Sequence, residues 1–105
     1  MSRPPNPARG EAGLTVDGKR LVLRPTFEAL VAAEEELGAL FELVERAAGG
    51  GLKLAEMATL FWHCLAERPE SCSRARVGQA LAEQGLARST PVLKMLLTQI
   101  LQGRV

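Results

Sequence analysis

The sequence predicts an α+β fold in which an N-terminal two-stranded β-hairpin packs on a bundle of about five short α-helices. Three observations carry that expectation. Asp17-Gly18 lies between two runs rich in branched apolar residues and tolerates the positive φ angles of a type I′ turn. From Thr26 onward, apolar residues recur at helical spacing in segments bounded by Thr, Ser, Gly and Pro. Leu and Ala dominate a chain that is 47% hydrophobic, 24% charged and only 4% aromatic, a mix that favours helix.

The hairpin is expected over residues 10–25. A two-residue loop sets Val16 opposite Lys19, Leu14 opposite Leu21 and Ala12 opposite Leu23, so one face collects the apolar side chains. The other face carries Glu11, Thr15, Arg20 and Arg24, with Glu11 directly across from Arg24 as a cross-strand ion pair. Since an isolated hairpin is marginal in water, this one needs helices against its apolar face.

The helices follow from their start and stop signals. Pro25 ends the second strand, and Thr26 caps a helix over 27–37 that closes at Gly38, with Phe27, Leu30, Val31 and Leu37 on one face. A second helix over 39–48 gathers Leu40, Phe41 and Val44 and stops at the triglycine Gly49 to Gly51, a loop and potential hinge. The third, over 54–68, has an apolar arc of roughly 200° at 100° per residue, the mark of a central helix, and Pro69 prevents its continuation. Ser73 caps a helix over 74–84 with Val77, Ala80 and Leu81 inward and Gly85 at its end. Thr90-Pro91 then opens a last helix over 91–102, with Val92, Leu93, Leu96, Leu97, Ile100 and Leu101 on one half and Met95 on the polar side.

With 105 residues the chain is expected to form one domain over 9–105 behind a flexible tail of residues 1–8, which holds three prolines and no apolar core segment of a signal peptide. The longest mostly apolar stretch, around Leu54 to Ala66, falls short of the roughly 20 residues of a membrane span. Two cysteines are too few for a disulfide framework, and the expected location is cytoplasmic. A net charge of +1 lacks the basic surplus of a general nucleic-acid binder. The local distribution is uneven: residues 26–48 carry six glutamates against Arg46 alone, whereas Arg68, Arg74, Arg76, Arg88, Lys94 and Arg104 make the C-terminal third basic. Solvated helix faces of opposite sign are the ordinary reading.

No catalytic, cofactor or metal constellation emerges. His63, Cys64 and Cys72 lack the fourth ligand that a structural zinc site needs. His63 and Cys64 are helix neighbours pointing about 100° apart, which suits a buried Cys64 beside a surface His63 better than a dyad. The consecutive Glu34, Glu35 and Glu36 splay around their helix instead of converging as an acid/base pair. Gly49 to Gly51 has no following Lys-Ser or Lys-Thr and is not a phosphate loop. The chain therefore reads as non-enzymatic, and four residues stand out for partner binding. Trp62, at the edge of its apolar arc, either completes the core or anchors an interface, the core being favoured. Met95 would offer an adaptable exposed thioether. Arg20 and Arg24 would form a binding face if the hairpin were an independent arm.

The succession of RGE, strand, Asp-Gly, strand, Thr-Phe-Glu-Ala-Leu and an acidic helix ending in Leu-Gly resembles a family of small proteins from gene transfer agents and related tailed phages. Arg9, Gly10, Glu11, Asp17, Gly18, Leu23, Phe27, Ala29, Leu30, Glu34, Leu37 and Gly38 match its motif. The likeness is specific over residues 9–54 and looser beyond. It departs at ERPESCSRARV, which stands in place of the family's glycine-rich step. The resemblance implies a protein encoded between the tail-tube and tape-measure proteins and regarded as a tail assembly chaperone, although the family has also been labelled a tail tube protein. It further implies the tape-measure protein as partner, with the tube protein or a second copy as further candidates, and neither nucleic acid nor membrane. A chaperone of this kind coats a long helical protein and releases it without chemistry.

Two alternatives remain. A structural tail-tube subunit would call for long strands to build a ring, where the sequence offers one hairpin. A helix-turn-helix regulator could be read into Ser73 to Gly85 and Thr90 to Gly103, with Arg74, Arg76, Arg88 and Lys94 near phosphates. Its second helix, however, presents only Lys94, Thr98 and Gln99 where base-reading residues should cluster.

Overall fold

The computed structural model describes residues 12–102. The tail over 1–8, the Arg9-Gly10-Glu11 motif and the pairing of Glu11 with Arg24 lie outside the described residues. Within them the order is β1 (Ala12–Val16), β2 (Lys19–Leu23), α1 (Phe27–Leu37), α2 (Leu40–Ala48), α3 (Leu54–Cys64), α4 (Arg74–Gln84) and α5 (Leu86–Gln102), an α+β fold of one antiparallel hairpin followed by five helices.

The turn dictates the hairpin. Asp17 and Gly18 have φ of 52° and 78°, the left-handed pair of a type I′ turn. Ala12 then faces Leu23, Leu14 faces Leu21 and Val16 faces Lys19, as the loop length predicts. Ala12, Leu14, Val16, Leu21 and Leu23 are all buried in the core, and Val22 on the opposite face is buried as well. β1 lies against α4 and α5. Two polar links fasten it there: the Gln84 amide donates to the Thr15 carbonyl at 2.6 Å, and Arg76 pairs with Asp17 at 3.5 Å.

α3 is the central helix, burying Met57, Ala58, Leu60, Phe61 and Cys64. α1 packs on it through Ala29 and Ala33, and α4 through the side that carries Val77, Ala80 and Leu81. The caps form as their residues require. Thr26 Oγ1 accepts from the Ala29 N–H at 3.1 Å and Ser73 Oγ from the Arg76 N–H at 3.2 Å, while Gly38 and Gly85 take positive φ at the ends of α1 and α4.

Two boundaries differ from expectation. α3 ends at Cys64 and not at Arg68, because the chain turns extended and meets the outer edge of β2. The Arg24 N–H donates to the Cys64 carbonyl at 2.6 Å, and the Ala66 N–H to the Val22 carbonyl at 2.9 Å. Pairing two exposed strand groups outweighs one more helical turn. The last helix begins at Leu86, so Pro91 lies inside it. Gly85 stops α4 and starts α5 at once, its carbonyl accepting from the Arg88 N–H at 3.1 Å. Thr90 does not cap: its hydroxyl donates back to the Leu86 carbonyl at 3.0 Å. The extra turn is anchored by Ser89, only 2% exposed.

Candidate partner-binding surface

The outer surface of α1 and α2 is apolar and acidic for reasons that start with side-chain size. Facing α3, α1 buries Ala29 and Ala33, one turn apart, and these small side chains allow close approach. Two of its large apolar residues face outward: Phe27 is 78% exposed and Val31, one turn on, is also exposed. In α2 only Leu43 is buried, and Phe41 is 76% exposed. Two of the three phenylalanines in the chain thus face solvent, while Phe61 fills the core. Burying such a side chain is worth about 1.5–3 kcal/mol, which the isolated chain forgoes twice.

The sequence places Phe27 and Val31 on one face with Leu30 and Leu37, and Phe41 together with Leu40 and Val44; the structure divides each group between core and solvent. Leu30, Leu37 and Leu40 are only partly buried against the core. Periodicity located an apolar arc on each helix but not the part of it that meets the neighbour. The signal that could have done so is the Ala29–Ala33 pair, whose spacing marks a close-packing stripe. Between the helices, Ala39 has no side chain able to cap α2, and Glu34 substitutes by accepting the Leu40 N–H at 3.1 Å.

Glu28, Glu35, Glu42 and Glu45 are exposed on the same two helices. Glu36 has a different role from its neighbours and from the purely solvated one expected of it. Its carboxylate accepts from Arg74 Nη2 of α4 at 2.7 Å, from Arg74 Nη1 and from His63 Nε2 of α3. Hydrogen bonds from Arg74 and then His63 hold its pKa well below the carboxylate norm, at about 2. His63, predicted at the surface, is therefore largely enclosed, its side chain 12% exposed. Arg46 of α2 grips Glu56 of α3 at 2.7 Å across the triglycine loop. Glu56 also accepts the Lys53 N–H at 3.0 Å, and its pKa likewise falls to about 2.

The four residues singled out in the sequence occupy separate places. Trp62 is half-buried against the core, with the Arg68 guanidinium 4.7 Å from its ring centroid. Met95, predicted on an exposed polar side, is instead half-buried against the core. α5 buries a wider arc than its apolar half, since Gln99, one turn from Met95, is half-enclosed and Ser89 is buried. The unbranched thioether can lie along that flank. On β2, the Arg20 guanidinium lies over Gly13, where any Cβ would collide with it. Arg24 follows the strand and ties it to Cys64 through its backbone.

Two clefts remain. One of about 430 Å³ lies between the hairpin and α5, lined by Gly13, Arg20, Gln84, Arg88, Ser89 and Val92, and the enclosed Ser89 hydroxyl has no partner among the described residues. The other, about 520 Å³, runs between α3 and α4 past Leu54, Ala58, Arg74 and Gly78. Burial pushes the Cys64 thiol up to about 12, so it stays protonated at neutral pH, and burial also raises Cys72. Among the described residues no three His, Cys, Asp or Glu side chains are grouped to hold a metal, and no helix is long and apolar enough to cross a membrane.

Comparison with known proteins adds the family. No curated protein and no solved structure matches the chain significantly. A family model described as phage tail tube protein, GTA-gp10, matches residues 9–103, nearly the full length and including both the hairpin and all five helices. The chain belongs to this gene transfer agent and phage tail family.

Proposed function

We propose that the chain is a non-enzymatic protein of tail morphogenesis in a gene transfer agent or prophage, acting at the tail tube by binding other tail proteins. The match of residues 9–103 to the tail tube family carries this reading. The role takes one of two forms. As a structural tube component the chain stays in the particle, and the family's description gives this form the firmer support. As a tail assembly chaperone it holds the tape-measure protein and leaves. That form is favoured by the exposure of Phe27 and Phe41, which suits reversible capture of an apolar segment.

A DNA-binding role finds less support. Arg74 and Arg76, placed near phosphates in that reading, pair with Glu36 and Asp17, and α4 and α5 are joined by Gly85 alone instead of a turn of three or four residues.

Mass spectrometry of finished particles separates the two forms. A tube component appears in fixed ratio to the other tail subunits, whereas a chaperone co-purifies with the tape-measure protein from cells assembling tails and is missing from particles. Absence from both preparations, or tight salt-dependent binding to random duplex DNA, would sink the proposal.

A further inference from the structure

We infer that the outer face of α1 and α2 is the docking surface, and that its occupant is an amphipathic helical segment of another tail protein bearing apolar residues bordered by Lys or Arg. This rests on the tail-protein reading above and deepens it. Phe27 and Val31 stand one turn apart along α1, the spacing at which one helix offers its side chains to the grooves of another. Phe41 is a second exposed ring on α2, the helix that packs beside α1. Such a residue, with few rotatable bonds and a large ring, is the kind that anchors an interface once water is excluded.

Charge selects the occupant. Glu28 and Glu35 are exposed on α1 and Glu42 and Glu45 on α2, and the single cation within 27–48, Arg46, is engaged with Glu56. The face thus presents apolar rings in a negative field, which a basic segment satisfies and an acidic one does not. A second copy of this chain is disfavoured by the same count. A twofold contact would bring the four carboxylates of one copy against the identical set of the other.

The test titrates the purified chain separately with the tape-measure protein and the tube protein of its own gene cluster, at low and high salt. The double variant Phe27→Ser, Phe41→Ser should keep the parent's helical circular dichroism and melting temperature, because both rings are already solvated, yet bind about tenfold or more weakly. Glu28→Lys with Glu42→Lys should also weaken binding and flatten its salt dependence. If the parent binds and the phenylalanine variant binds equally well, this face is not the docking surface, although the tail-protein reading stands. If the parent binds neither protein, both fall. Binding that ignores the charge-reversed pair overturns the basic partner, and concentration-dependent self-association lost in the phenylalanine variant assigns the face to a second copy.

Discussion

Glu56 illustrates how one carboxylate can set a pH response. It accepts from Arg46 across the triglycine loop and from the Lys53 N–H, and its pKa drops from the ordinary 4.5 to about 2. Between those values the unfolded chain binds the proton and the folded one does not. The contribution of this group is therefore fully present above about pH 4.5 and is lost as pH falls toward 2. The melting-temperature difference between the parent and Glu56→Gln should be largest near neutrality and vanish in strong acid. Because the pair is solvent-exposed the difference should be small, and 1 M salt should reduce it further. A difference that stays constant from pH 7 to pH 2 would assign the effect to packing. Glu56 was visible in the sequence only as an interruption of an apolar stretch, since its partner lies ten residues away across a loop.

Among the elements, the hairpin turn and the start of α5 invite opposite substitutions. Gly18 has φ of 78° with open space around its missing Cβ, so Gly18→Val strains the backbone without a steric clash elsewhere. The hairpin supplies Ala12, Leu14, Val16, Leu21 and Leu23 to the core and is tied to α4 by Gln84 and Arg76. Thermal unfolding followed by helical circular dichroism should consequently show a lowered midpoint for the entire domain; a midpoint within error of the parent would make the hairpin an independent arm. Pro91 deprives the Ala87 carbonyl of its helical partner, and Pro91→Ala would restore that bond. The gain should be about 1–3 kcal/mol, reduced by the added freedom of the unfolded chain. No gain in chemical denaturation would mean that residues 86–90 fray and that the helix effectively starts at the proline, where the Thr-Pro signal placed it.

Over the whole molecule, features fixed by neighbours in sequence were the legible ones. The Asp17-Gly18 turn determined the register, and the Thr26, Ser73, Gly38 and Gly85 caps delimited α1 and α4, because each acts within about four residues. Features decided by contact with a distant segment were not. The end of α3 depends on β2, roughly forty residues earlier in the chain, and the inward side of α1 on its seat against α3. The candidate surface was missed for this second reason: Phe27 and Phe41 match an inward pattern as well as an outward one. Trp62 and Met95, chosen for position on a helical wheel, prove half-enclosed.

The contact of Leu65 with Leu23 has a bearing on assembly. Cys64 and Ala66 take up Arg24 and Val22, so the chain covers the C-terminal end of the β2 margin itself. Along the opposite margin, that of β1, the Gln84 amide occupies the Thr15 carbonyl. A continuous ribbon of strands passing from subunit to subunit around a ring needs a receptive margin on both sides of each sheet. With both margins of this hairpin occupied in part, neighbours in a tube are expected to hold the chain by helices and side chains, and the joint would come apart with loss of apolar or ionic contacts while every strand pair within the subunit stayed intact.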